Sequence, residues 1–299
     1  MKAGFPRLQP GREPVSTEPP QHRGLKKGLY LIPSLFTAAN ILMGFIAIMA
    51  ALRGFQMVGA GLAEGARVAF DSAAKAIGLA MIFDTLDGRI ARMTKTTTEI
   101  GVQLDSLADV LTFGIAPAVL AYTWGYGSVF REGTNAHNLG WFISFMYLMC
   151  GAFRLARFNV QALRPRPLAE GTVKLDKNHF LGLPIPVAAA QLAAIIHFAP
   201  APLAQHGPQR AQLYSGRIMA LVAVLSALMV STLRYSSFKS VGTRRESTRI
   251  VLLVLAAVGM LVWLYSRYVL LALATLYVLL GPLFRVASMF RSPASREED

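Results

Sequence analysis

Apolar positions fill this chain in long, nearly unbroken runs. Eight such runs can be traced, at about 31–52, 68–92, 101–123, 139–160, 182–202, 216–234, 249–266 and 268–286. Roughly 20 predominantly apolar residues suffice for an α-helix to cross the hydrocarbon core of a bilayer. The pattern predicts an all-α fold, a polytopic transmembrane helical bundle of about eight spans. The last two spans are divided only by the neighbourhood of Ser266 and Arg267. Residues 1–29 are rich in Pro, Gly, Arg, Lys and Gln and show no core pattern. They predict a disordered basic tail that rests on the membrane surface near Lys26 and Lys27. No apolar region follows the first basic residues closely, so the tail does not read as a secretory signal. The expected organisation is a tail over 1–29, a six-span core over 30–240, two additional spans over 241–286 and a second tail over 287–299.

Composition changes the picture in one respect. The chain is 54% hydrophobic and 15% charged, yet its formal net charge is +14. In a soluble protein that excess would suggest nucleic acid. In a membrane protein, basic residues collect in cytoplasmic loops and face anionic lipid head groups. Membrane lipids are therefore the expected partners, and nucleic acid is not. With a cytoplasmic N-terminus and alternating spans, 23 Lys and Arg fall in cytoplasmic segments and 6 in outer ones, Lys75 lying within the second span. This predicts a multi-pass protein of the cell's inner (cytoplasmic) membrane with both termini in the cytoplasm. The single cysteine, Cys150, sits in an apolar run and has no intrachain partner for a disulfide.

One stretch breaks the apolar pattern: FDTLDGRIARMTKTTTEIGVQLDSLADV, residues 83–110. Asp84 and Asp87 are three apart at the end of the second span, and Asp105 and Asp109 are four apart at the start of the third. Helical residues at those separations share a face. The short polar turn between the spans makes them antiparallel neighbours, so the two pairs can face each other at one depth. An ionised carboxylate at the bilayer centre costs about 3 kcal/mol on the insertion scale, and four together repel. Hard divalent cations offset both costs, and oxygen-only ligands suit Mg²⁺, Mn²⁺ or Ca²⁺ over Zn²⁺. Gly88, Ala91 and Gly101 clear the same faces for a bulky phosphorylated ligand, and Arg92 can neutralise a phosphate. Two other readings stand beside this one: helix-end charges that snorkel to the interface, and an ion pathway. A pathway would distribute polar groups along a span, whereas these crowd one end.

The stretch resembles the signature of the CDP-alcohol phosphatidyltransferases, D-x2-D-G-x2-A-R-x8-G-x3-D-x3-D. Every fixed position agrees: Asp84, Asp87, Gly88, Ala91, Arg92, Gly101, Asp105 and Asp109. The resemblance implies transfer of a phosphatidyl or related phospho-group from a CDP-linked donor to an alcohol, with release of CMP. It implies Asp84, Asp87, Asp105 and Asp109 as metal ligands for Mg²⁺ or Mn²⁺, with Ca²⁺ as a crystallographic substitute, and Asp109 also as general base. Gly88, Ala91, Arg92 and Gly101 would bind the donor. The segments IPSLFTAANILMGFIAI, LDSLADVLTFGIAPAVLAY, FRLARFNV, FLGLPIPVAAA and STLRYSSFK look like those of the family's bacterial phosphatidylserine synthase branch. That branch implies CDP-diacylglycerol as donor, L-serine as acceptor and a homodimer. Ser34 departs from the Asn the branch often carries there.

The acceptor is less firmly drawn. Arg154, Arg157 and Asn159, at the cytoplasmic end of the fourth span, can receive a carboxylate; they equally fit ordinary positive-inside anchoring. A glycerol 3-phosphate acceptor would use the same arginines, and choline or inositol phosphate remain alternatives, as does a divalent-cation transporter. Thr37 and Asn40, one turn apart in the first span, fit either contact with nucleotide or acceptor, or helix–helix hydrogen bonding. The segment GAGLAEG, 59–65, lacks the spacing and context of a dinucleotide fingerprint and reads as an outer loop. The five histidines form no metal-spaced pair.

Overall fold

A computed structural model describes residues 23–94, 99–163, 179–236 and 245–290. Helix α1 spans Arg23–Gly59, α2 Ala63–Thr94 and α3 Glu99–Asp109. Without leaving helical geometry the chain passes through a π-helical stretch, Val110–Ile115, then α4, Ala116–Ala121, and a second π-helical stretch, Tyr122–Tyr126. Helix α5 follows at Asn135–Leu163, strand β1 at His179–Leu181, α6 at Ile185–Phe198, α7 at Pro208–Val230, β2 at Arg234–Ser236 and α8 at Arg245–Phe290.

Among the described residues, five helical stretches are long and apolar enough to cross a membrane: Leu35–Gly59, Ile100–Tyr126, Asn135–Val160, Pro208–Val230 and Ala256–Leu283. The burial pattern agrees with a lipid solvent. Leu42, Phe45, Trp141, Phe142 and Trp263 point outward, while Thr112, Gln191, His197 and Ser226 are buried. Alanine is the commonest buried apolar residue, because small side chains let helix backbones approach where lipid supplies no hydrophobic drive between helices. The chain is a helical membrane protein.

The predicted spans need correction in several places. The second coincides with α2, whose 32 residues carry too many charges to count as apolar. The fifth shrinks to the 14 residues of α6. The last two form one run of 46 residues, α8, interrupted at Tyr265 by a single non-helical conformation (φ −133°, ψ 43°). The basic tail is helical from Arg23, while residues 1–22 lie outside the described region. The segment 59–65 is a tight turn, since α2 already begins at Ala63. The fold also includes a small antiparallel ladder, with Phe180 opposite Tyr235.

Two glycines fix helix placement. Gly182, after β1, has φ +81°, and a Cβ there would lie 2.4 Å from the Met229 carbonyl oxygen. Its N–H donates to the Leu233 carbonyl at 2.9 Å, so α6 starts against the end of α7. In α1, a Cβ on Gly44 would lie 2.4 Å from Thr112 Oγ1. That close approach lets Thr112 Oγ1 donate to the Asn40 carbonyl at 3.2 Å, and α1 is thereby seated on the first π-helical stretch.

At the end of α2 away from the paired aspartates, a polar array joins three helices. His197 Nδ1 lies 2.5 Å from Asp71 Oδ1 and His197 Nε2 2.9 Å from Ser266 Oγ. Asp71 also pairs with Lys75 at 2.7 Å. A carboxylate only accepts, so Nδ1 carries the proton. Ser266 directly follows the break at Tyr265, so the array pins the bend of α8 to α2 and α6.

Candidate active site

Asp84 and Asp87 lie in the last third of α2, and Asp105 and Asp109 in the final turns of α3. Antiparallel packing brings carboxylate oxygens of Asp84, Asp105 and Asp109 within 4.8 Å of one another. At an effective dielectric near 20, each ionised pair at that separation repels by about 3–4 kcal/mol. Their half-buried setting limits how far water can screen the repulsion. Asp109 Oδ1 is buried and has no hydrogen-bond partner among the described residues. A buried polar atom without a partner is costly, so this oxygen is available for a ligand. Three hard oxygen donors with an open valence fit a divalent cation such as Mg²⁺ or Mn²⁺.

Asp87 takes a different position from the other three. It is buried and accepts a hydrogen bond from Thr37 Oγ1 of α1. Its charge still bears on both Asp84 and Asp105. Thr37 thus links a helix to a site carboxylate, where the sequence left open a direct ligand contact. Asn40, one turn on, is 1% exposed, and both polar atoms of its side chain lack a partner among the described residues.

Helix α5 supplies the cationic side. The Arg154 guanidinium acts electrostatically on Asp109, and its Nε is buried with no hydrogen-bond partner among the described residues. Arg157, one turn further, adds a second positive charge beside it. Asn159 is engaged elsewhere: its Nδ2 donates to Ser106 Oγ at 2.9 Å, tying α5 to α3. Gly88 is exposed on α2 and Gly101 half-buried on α3. Ala91 and Arg92 continue the helix of α2, but their side chains lie outside the described residues, as does the turn over 95–98.

An apolar cavity of about 630 Å³ runs beside the site between α2, α6 and α8. Gly78, Ile82, Val187 and Leu273 are among its walls, Lys75 and His197 stand at one end, and Arg89 and Tyr277 at the other. On α2 the cavity stripe at 78, 82, 85 and 89 is distinct from the face bearing Asp84 and Asp87. Sequence reasoning missed Thr112, Ser106 and Tyr277. Only the small-residue spacing of Gly44, Ala47 and Ala51 signalled a close approach to α1.

Comparison with known proteins agrees with this arrangement. The family model for CDP-alcohol phosphatidyltransferase matches residues 30–229. A CDP-diacylglycerol--serine O-phosphatidyltransferase of Helicobacter pylori (strain ATCC 700392 / 26695) is 32% identical over 234 residues, covering 77% of this chain and 82% of the relative. One from Methanocaldococcus jannaschii is 29% identical over 208 residues, covering 69% and 74%. One from Saccharomyces cerevisiae is 39% identical over 113 residues, covering 38% and 36%. With three site carboxylates converged on the positions of the signature and a family match across most of the described helices, the chain belongs to the CDP-alcohol phosphatidyltransferase family.

Proposed function

We propose that the chain is a phosphatidylserine synthase, which transfers the phosphatidyl group of CDP-diacylglycerol to the hydroxyl of L-serine and releases CMP. The observation that carries the reading is the convergence of Asp84, Asp105 and Asp109 within 4.8 Å in a chain whose relatives bear that name. Asp84, Asp105 and Asp109 would hold Mg²⁺ or Mn²⁺, with Asp87 adding charge from its place against Thr37. The bound metal supplies charge stabilisation for the phosphoryl oxygens and the departing CMP. Asp109, with its open oxygen, accepts the proton of the serine hydroxyl as that oxygen attacks the phosphatidyl phosphorus. The bond from that phosphorus to the CMP oxygen breaks, and CMP leaves. Arg154 and Arg157 receive the serine carboxylate, for which a guanidinium offers paired donors. Asn40 offers its buried amide to the donor. The apolar cavity along α2 suits an acyl chain of the donor.

The 23-to-6 distribution of Lys and Arg supports a site facing the cytoplasm across the inner membrane. The break at Tyr265 supports counting α8 as two spans, and with α2 and α6 included the reading returns to eight. The test is CMP release from purified protein given CDP-diacylglycerol, Mg²⁺ or Mn²⁺ and a panel of serine, choline, glycerol 3-phosphate and inositol phosphate. Serine alone should support rapid release. A preference for another acceptor would keep the chemistry and overturn the substrate.

A further inference from the structure

Helix α5 runs antiparallel to the helical stretch that bears Asp105 and Asp109, and two hydrogen bonds fix the pairing. Asn159 Nδ2 donates to Ser106 Oγ at 2.9 Å. The Tyr147 hydroxyl, fully buried, donates to the Phe113 carbonyl at 3.3 Å. Asp109 lies between Ser106 and Phe113 in the chain, and Arg154 lies between Tyr147 and Asn159. The two bonds therefore bracket the Asp109–Arg154 pair. The Asn159 bond is the nearer of the two. At 1.5 Å per helical residue, it stands about 5 Å along the axis from Asp109 and about 8 Å from Arg154.

Inside the bracket, two buried polar atoms are unmatched. Asp109 Oδ1 is an acceptor and Arg154 Nε a donor, and neither has a hydrogen-bond partner among the described residues. They are complementary yet not bonded to each other. The gap between them suits a ligand with a donor at one end and an acceptor at the other. Serine has that form, with its hydroxyl and carboxylate a fixed number of bonds apart. Such a ligand meets both atoms at one spacing of the two helices, so whatever sets the spacing selects the ligand. Ser106 is suited to set it. Its hydroxyl donates to the Val102 carbonyl at 3.1 Å, so the proton is committed and the oxygen is left to accept from Asn159.

We propose that Asn159 and Ser106 are a positioning pair for acceptor selection: their bond holds α3 and α5 at the spacing where the hydroxyl of a serine-sized acceptor reaches Asp109 while its carboxylate reaches Arg154. Neither residue touches the acceptor; both act through the helices they join. This inference rests on the serine-transfer reading, and its failure can be told from the failure of that reading.

The test uses the full-length protein in detergent or nanodiscs. CMP release is followed with L-serine, with L-homoserine, whose hydroxyl stands one methylene further from the carboxylate, and with CDP-diacylglycerol varied separately. Asn159→Ala and Ser106→Ala each remove the bond. Each should raise the KM for serine about three- to tenfold, the worth of one neutral hydrogen bond. Each should also lower the preference for serine over homoserine in kcat/KM by a similar factor, with the KM for CDP-diacylglycerol unchanged. Ser106→Thr, which keeps the hydroxyl, should keep the wild-type preference. The double alanine variant should match the single ones, because residues acting through one contact are non-additive. A wild-type preference in both alanine variants would overturn the proposal. So would an equal rise in the KM for CDP-diacylglycerol, which marks a merely structural bond, or full additivity in the double variant. In each of these cases wild-type turnover of serine leaves the functional reading standing. A wild-type protein that releases no CMP with serine would sink that reading and this inference together.

Discussion

Asp109 and Asp84 are chemically identical side chains in one cluster, but their surroundings differ. Asp109 has a buried oxygen without a partner among the described residues and lies beside the Arg154 charge. Asp84 faces the other carboxylates. Asp109→Asn keeps the size and one oxygen but removes the basicity. If Asp109 is the base, CDP-diacylglycerol binding should survive while kcat falls by about 10²–10⁴, the usual worth of general-base catalysis. Asp84→Asn should weaken donor binding together with turnover. Donor affinity measured beside kcat separates the two, and equal loss of binding in both variants would make Asp109 chiefly a ligand. The aspartates were legible because helix periodicity turns a spacing of three or four into a shared face. The partner of Asp87 was not, since Thr37 is 50 residues away and local spacing carries no information about which helix lies alongside. Asn159 shows the same limit: its Nδ2 donates to Ser106 Oγ, 53 residues away, a partner that local spacing does not name.

Among the elements, α8 and α6 depart furthest from the pattern of apolar runs. Hydropathy gives the length of an apolar run but not where its backbone turns. The break at Tyr265 falls within one residue of the polar pair, Ser266 and Arg267, that suggested it. The array that holds the break was not legible, because Asp71, His197 and Ser266 are scattered along the chain and meet only when α2, α6 and α8 pack. His197→Phe should leave Asp71 with Lys75 alone and Ser266 without its imidazole. Loss of a hydrogen bond to a half-buried charged group predicts destabilisation of about 1–2 kcal/mol, read as a lower thermal midpoint in detergent. An unchanged midpoint would mean that the array does not hold α8. The π-helical stretch after Asp109 was equally hidden. It lies against α1 where Gly44 approaches Thr112, a contact that no periodicity reports.

For the whole molecule, the membrane class followed directly from composition, while the count of spans did not. A helix that must carry site carboxylates, as α2 does, fails a test of apolarity even where its neighbours on both sides pass it. Orientation rests on the loop charges. Thr97→Cys, in the turn outside the described residues and made in a Cys150→Ala background, should react only with a membrane-permeant thiol reagent in intact cells. Labelling by an impermeant reagent from outside would put the site on the opposite face of the membrane.

The most direct measurement of the central claim is the incorporation of radiolabelled L-serine into lipid by the purified full-length protein supplied with CDP-diacylglycerol. With Mg²⁺ or Mn²⁺ present, labelled phosphatidylserine should form in step with CMP. EDTA should abolish both, because Asp84, Asp105 and Asp109 would then be left as three mutually repelling carboxylates within 4.8 Å, and restored metal should bring both back. Undiminished incorporation of serine in metal-free buffer, or CMP release with no labelled lipid, would contradict the account.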